Sequence, residues 1–270
     1  MTESGEPAHN IAGGEGNDEE AAGVSPASSE PGTRAEAVVD RLGELYWQTS
    51  YGSQQAFESL VRTILSQNTS DQASQPAHDA LMEQFGDEAL AHSLAAADRD
   101  EIAVIIQPGG LHNQKSAVIK RVAAHVLEMY GSAEAFDRYV REEGAVEVRD
   151  TLLELKGVGP KTADCVLLFA GGRDGVFPVD THVHRIYRRL GIAPPDADHE
   201  TVRTDLESDL PPEKCGYGHT TSIQFGREYC TARDPVCLED PEACPLSDLC
   251  DRVGINGESG TVVDPAETLD

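Results

Sequence analysis

Four of the six cysteines in this chain, Cys230, Cys237, Cys244 and Cys250, fall within 21 residues near its end. Thiols so concentrated are brought into one small space, and whatever they bind ties the loops between them together. The opening stretch MTESGEPAHNIAGGEGNDEE lacks the basic, then apolar, layout of a secretion signal. The chain is therefore expected in the cytoplasm, where thiol buffers disfavour disulfides and metal or iron–sulfur ligation is the better use of such a cluster. Cys165, set among Val166, Leu167, Leu168 and Phe169, reads instead as a buried apolar thiol. No run approaches the roughly 20 apolar residues of a membrane span.

Between residues 35 and 230 the apolar positions recur at intervals of three and four, broken by Gly, Pro and Asp, with no sustained alternation. The spacing predicts an all-α body. Residues 56–67 put Phe57, Leu60, Val61, Ile64 and Leu65 on one face, and 113–130 repeat the pattern with Val118, Ile119, Val122, Val126 and Leu127. Further helices are expected at 35–48, 71–85, 98–106, 132–141, 145–155, 160–171, 181–190, 199–208 and 219–228. Asp98 and Asp180 suit N-caps, and Gly131, Gly172 and Gly191 suit C′ positions. The only segment suggesting a strand is 176–179.

Charge is distributed unevenly. The chain carries 48 acids against 21 bases, a formal charge of −27. Residues 1–34 hold seven acids and one base, and 254–270 hold four acids and no base. Both ends are rich in small and polar residues and are expected to be solvated, disordered tails. The remainder keeps 37 acids and 20 bases, near −17. An acidic surface with so few lysines suits concentrated salt, which screens self-repulsion. Residues 151–190 run against the trend, with four acids and six bases.

That basic stretch contains LLELKGVGPKTADCVLLFAGGRDGVFPVDTHVHRIYRRLGI, which reads helix, Gly-Val-Gly turn, helix, loop, helix. Gly157 and Gly159 permit a tight turn whose amides face outwards at the N-terminus of the helix that Pro160 begins. Amides so placed hold a phosphate. A helix-hairpin-helix of this kind at 152–171 grips a nucleic-acid backbone without reading bases, with Val158 in the turn and Lys156 beside it. On spacing alone Lys161 reads as a phosphate contact and Asp180 as an N-cap. Together they permit more. A lysine at a helix N-terminus among other cations is pushed towards its neutral, nucleophilic form, and a partly buried carboxylate can stabilise positive charge or move a proton. His182 and His184, two residues apart, point to different sides of a helix and do not form a ligand pair. His182 is expected to be positional.

GVGPKTA, then VDTH, then the four cysteines resembles the endonuclease III branch of the helix-hairpin-helix DNA glycosylases. The likeness runs from about Val38 to Cys250 and takes in FESLVRTILSQNTSDQ and GGLHNQKSAVIKRVA. It implies two lobes with a DNA-binding cleft between them: a six-helix barrel over 50–175, and a cluster lobe made of 35–49 plus 176–253. It also implies that Lys161 is the Schiff-base lysine and Asp180 the catalytic aspartate of a bifunctional glycosylase and abasic-site lyase. Leu111 matches the family's wedging leucine. Asn68, with Gln67 before it, stands where bacterial members have a glutamine facing the orphan base. The implied partner is duplex DNA carrying damaged bases or abasic sites. The enzyme is expected to be monomeric and nucleoid-associated.

The cysteine spacing departs from the family's common C-x6-C-x2-C-x5-C. Here it is C-x6-C-x6-C-x5-C. A loop between two ligands can lengthen without moving either sulfur, so a [4Fe–4S] cluster remains the expectation, with zinc as the alternative occupant. Between the first two cysteines the only base is Arg233, followed by Asp234. Among related activities, adenine-mismatch enzymes have Ser at the Lys161 position and a catalytic Glu near Arg62, and thymine-mismatch enzymes often have Tyr for the lysine. Neither pattern is present. An 8-oxoguanine enzyme keeps both Lys and Asp and stays open as an alternative, as does a non-catalytic iron–sulfur DNA-binding module, which has no need of Lys161 with Asp180.

Overall fold

The computed structural model describes residues 31–46, 54–86 and 89–269. Most of the expected N-terminal tail, residues 1–30, and the end of the first expected helix lie outside the described residues. Twelve α-helices are present among those described: α1 (Arg34–Leu45), α2 (Ala56–Ser66), α3 (Asp71–Phe85), α4 (Leu90–Ala96), α5 (Arg99–Ile105), α6 (His112–Tyr130), α7 (Ala133–Glu142), α8 (Ala145–Glu154), α9 (Pro160–Phe169), α10 (Thr181–Leu190), α11 (His199–Asp209) and α12 (Pro212–Glu228). None is long and apolar enough to cross a membrane. The chain divides into two compact units, Tyr51–Arg173 and Met1–Ser50 with Asp174–Asp270.

The Tyr51–Arg173 unit is built on α2. Its residues Phe57, Leu60, Val61, Ile64 and Leu65 are all fully buried, because α2 packs against α9, α3, α7 and α6 in turn. α9 is buried almost throughout, from Thr162 to Phe169. It carries a carboxylate into that interior, Asp164, which takes a 2.6 Å hydrogen bond from Arg149 Nε of α8. This pair fixes the two helices of the hairpin side by side.

The second unit places Ala35, Val38, Val39 and Leu42 of α1 in a core shared with α10, α11 and α12. Phe177 packs edge-on against Tyr187 at 5.8 Å, and the Tyr187 hydroxyl meets Ser222 Oγ at 3.1 Å. Lys214, almost fully buried, joins α12 to α1 through Glu36 at 2.8 Å and Asp40 at 2.5 Å.

Three expectations are corrected. Residues 176–179 form no strand: the segment is buried as irregular chain, with the Phe177 amide donating to Glu207 Oε1 at 3.0 Å in place of a strand partner. Residues 254–270 are not a free tail. β1 (Ile255–Asn256) and β2 (Thr261–Val262) pair antiparallel, a short 3-10 turn follows at Pro265–Leu269, and Asp264 pairs with the buried guanidinium of Arg188 on α10. Burying a cation is costly unless it is paired or hydrogen-bonded, and this polar segment supplies Arg188 with a carboxylate. Arg34, counted with the N-terminal tail, opens α1, which Thr33 caps through its hydroxyl. Its guanidinium donates to Leu249 O at 2.9 Å and pairs with Asp251.

Candidate active site and nucleic-acid interface

Gly157 and Gly159 have different reasons to be glycine. Gly157 has φ 106°, and a Cβ there would stand 2.7 Å from both methyls of Val118 on α6. The fold itself requires it. Gly159 is extended, at φ −103°, and a Cβ on it would meet nothing within 4 Å. Among the described residues nothing requires glycine here, and the turn is open on this side. Val158 serves the turn inwardly. Its side chain is buried and its amide donates to Leu155 O at 2.9 Å. Gly159→Ala is expected to leave the unfolding midpoint within about 0.5 kcal/mol of wild type while weakening duplex binding several-fold. Gly157→Ala should destabilise by about 1–3 kcal/mol. Denaturant unfolding and DNA titration of both variants check this contrast.

α9 starts at Pro160, whose missing N–H costs nothing at the first helical position. Lys161 follows in the first turn, half-buried, where helix amides lack partners within the helix and the dipole is positive. Gln67 closes this corner from the end of α2. Its Nε2 donates to Gly157 O at 3.1 Å and Thr162 Oγ1 at 3.0 Å. Expected to meet DNA, Gln67 thus uses its amide donors inside the protein. Asn68 beside it is exposed, in left-handed backbone at φ 50°. Leu111 is likewise left-handed at φ 51° and is 49% exposed in the turn before α6, an uncommon setting for a leucine.

The basic excess of 151–190 is largely internal. Arg188 and Arg189 are buried, and Arg185 donates to Cys230 O, Gly226 O and His182 Nδ1. Arg173 binds the carbonyls of Val140 and Glu143. Lys156 remains exposed beside the turn. Sequence reasoning missed its neighbour Arg121, an exposed residue of α6 whose Nη1 donates to Lys156 O at 2.9 Å. Only the folded helix order brings α6 to the hairpin.

In the other unit, Asp180 is the N-cap of α10. Its Oδ1 accepts from the amides of His182 and Val183, both at 2.8 Å. Among the described residues Oδ2 takes no hydrogen bond. His182 Nδ1 accepts from Arg185 Nη2 at 3.0 Å, and burial lowers the imidazole pKa, so the ring is held neutral. His184 binds Ala197 O and stacks on His199 at 4.0 Å, away from any shared role with His182.

Cys230, Cys237 and Cys244 are buried in the apolar core of this unit, with Cys250 packed against it. Burial raises all three of the Cys237, Cys244 and Cys250 thiols, the last to about 12, and each is raised further by the other cysteines around it. Arg189 Nη1 lies 3.5 Å from Cys230 Sγ, and the Arg252 amide donates to Cys250 Sγ at 3.3 Å. Among the described residues no three His, Cys, Asp or Glu side chains stand together as a metal site. The four thiols belong to one apolar core without closing on a common point. The loop from Cys244 to Cys250 is tied to α1 by Arg41, which donates to Pro245 O at 3.0 Å and pairs with Asp248.

Residues 61–212 match the HhH-GPD superfamily of base excision DNA repair proteins. The chain is 32% identical over 195 residues to endonuclease III of Thermotoga maritima, covering 72% of this chain and 82% of that one. It is 32% identical over 220 residues to endonuclease III of Synechocystis sp., covering 80% and 91%. Its fold is similar to that of a trapped endonuclease III–DNA covalent intermediate with an estranged adenine, at a TM-score of 0.67 and 27% identity, over 84% of this chain and 98% of the other. With the hairpin, the lysine that follows it and the capping aspartate, these likenesses establish that the chain belongs to the HhH-GPD superfamily of base excision repair proteins, in its endonuclease III family.

Proposed function

We propose that this DNA glycosylase and abasic-site lyase acts on oxidised pyrimidines in duplex DNA and then cleaves the strand 3′ to the lesion. The observation that carries the reading is a phosphate-gripping turn followed directly by a lysine in the first turn of the next helix. The hairpin and Lys156 hold one backbone while the damaged nucleotide leaves the stack. Lys161 Nζ, as the free amine, attacks C1′. The C1′–N bond breaks and the base departs, taking up a proton. Asp180, through the oxygen its capping bonds leave open, stabilises the positive charge that develops on the sugar. Opening of the ring gives the imine with Lys161. Loss of a C2′ proton then expels the 3′ phosphate by β-elimination, and water releases the lysine. Leu111 and Asn68, both exposed on left-handed turns, fill the space the flipped nucleotide vacates. In concert with its acidic surface, the enzyme works as a monomer in a salt-rich cytoplasm on nucleoid DNA.

The sulfur-only donor set and the N–H donors aimed at Cys230 and Cys250 fit a group bound by four thiolates. Cys230, Cys237, Cys244 and Cys250 would hold a [4Fe–4S] cluster, which fixes the loops they stand on and can exchange charge with DNA. Purified protein is expected to contain about four irons and four acid-labile sulfides per chain. One zinc per chain, without sulfide, would assign the pocket to that ion instead. The base specificity is tested by excision from otherwise identical duplexes bearing thymine glycol, 8-oxoguanine or a T·G mismatch. Release of thymine glycol in preference to the other two supports the assignment, and preference for 8-oxoguanine would replace it.

A further inference from the structure

Lys115, in the fourth position of α6, is 3% exposed. Its ammonium has three protons and three acceptors: Leu65 O at 2.6 Å, Thr69 Oγ1 at 2.7 Å and Gly109 O at 2.9 Å. All three are neutral oxygens. Burial alone lowers its pKa from the ordinary lysine value, so the molecule carries a costly cation here without the carboxylate that usually accompanies one.

The acceptors explain the arrangement. Leu65 and Thr69 bracket Gln67 and Asn68 at the end of α2, and Gly109 precedes Leu111 by two residues. The two brackets are also joined directly, since Thr69 Oγ1 donates to Gly109 O at 2.9 Å. The Lys115 amide itself donates to Leu111 O at 2.9 Å. Asn68 and Leu111 are the only non-glycine residues with positive φ among the described residues of this unit. Left-handed backbone costs about 1–3 kcal/mol per residue and persists only where the surroundings hold it.

We infer that Lys115 is a positioning residue that locks the Asn68 and Leu111 loops to each other, so that both side chains are presented to the DNA before it binds. The inference rests on the reading of these two residues as the groups that fill the vacated space. A single ammonium suits the task because it can donate to three oxygens converging from two loops, two carbonyls and a hydroxyl, which an apolar residue of the same volume cannot. Lys120, one and a half turns further along α6, makes the instructive comparison. It binds Ala95 O at 2.7 Å and Ala97 O at 2.5 Å, closing the end of α4. It caps a helix and touches neither loop.

Lys115→Met and Lys120→Met in the full-length protein test the inference in two ways. In the free protein, amide hydrogen exchange over residues 67–69 and 109–112 should speed up by about tenfold or more in Lys115→Met, with α8 and α9 unchanged. Unchanged exchange, or faster exchange across the whole unit, would overturn the clamp. The second arm compares borohydride trapping on an abasic site in duplex and in single-stranded DNA, because only a duplex leaves a gap to fill. Lys115→Met should lose about 10- to 100-fold on the duplex and less than about threefold on the single strand. Lys120→Met should leave the ratio of the two as in wild type. Equal losses on both substrates in Lys115→Met would reduce Lys115 to a purely structural role. If wild type forms no adduct with either substrate, the functional reading falls, and the exchange pattern still decides whether Lys115 clamps the loops.

Discussion

Lys161→Ala loses strand cleavage at an abasic site by on the order of 10³-fold or more, because the amine that forms the imine is gone and no other group supplies it. The fold should not suffer. Lys161 lies half-exposed in the first turn of α9, where alanine is a good helix former and Pro160 already sets the backbone. Thermal unfolding is therefore expected to be close to wild type, and duplex binding to persist through the Gly157–Gly159 turn. Single-turnover cleavage of an abasic duplex, with binding measured on the same sample, separates the two. Cleavage that survives in Lys161→Ala at more than about a tenth of wild type would place the nucleophile elsewhere.

Substitution of Asp180 divides structure from chemistry. Its Oδ1 caps α10 by accepting two amide hydrogens, and any chemistry uses the negative charge. Asparagine is as good an N-cap as aspartate, whereas alanine forfeits about 1 kcal/mol. Asp180→Asn should therefore unfold like wild type yet lose about 10²–10⁴-fold in base excision, the range typical for a group that moves protons or stabilises charge. Asp180→Ala should lose the same activity and also unfold more easily. Equal stability losses in both variants would mean that the charge, rather than the cap, holds α10. Near-wild-type excision by Asp180→Asn would reduce Asp180 to a cap.

Much of the fold is legible in the sequence where a local rule operates. Apolar spacing locates α2 and α6, Asp98 and Asp180 cap as their side chains predict, and Gly131 and Gly191 close helices in left-handed backbone. α4 is not legible, since LAHSLAA is short and its small residues make a weak apolar face. The start of α12 is missed because Gly216 and Gly218 lie within it. Gly218 is there for close packing: a Cβ would stand 2.8 Å from Phe177 and 2.9 Å from Val39. The hairpin after Gly254 turns over residues 257–260, where Asn256 Oδ1 accepts from the amides of Glu258 and Ser259, a turn that the acidic composition around it obscures.

The site follows the same division. The glycine turn and the Asp180 cap are legible because each follows a local rule, and the roles proposed for Lys161 and Asp180 rest on the motif together with a local chemical reason. The roles of Gln67, Lys115 and Arg121 depend on partners 90, 50 and 35 residues away, which spacing along one helix does not reveal. Counting charge within 151–190 overstates the cations that can reach DNA, since Arg188 and Arg189 are buried in support of the cluster lobe and its C-terminal hairpin. In this acidic chain Arg41, Arg173, Arg188 and Arg189 tie carbonyls and carboxylates together within the protein.

The most direct test of the central claim is borohydride trapping with the full-length protein on duplexes carrying either an abasic site or thymine glycol, over KCl from low to molar concentration. Phosphate contacts weaken as salt rises, while the repulsion within a body near −17 is relieved by it. The expected result is a covalent adduct with both duplexes, absent in Lys161→Ala, whose yield passes through a maximum with KCl. No adduct with either duplex at any salt concentration would contradict the lysine mechanism.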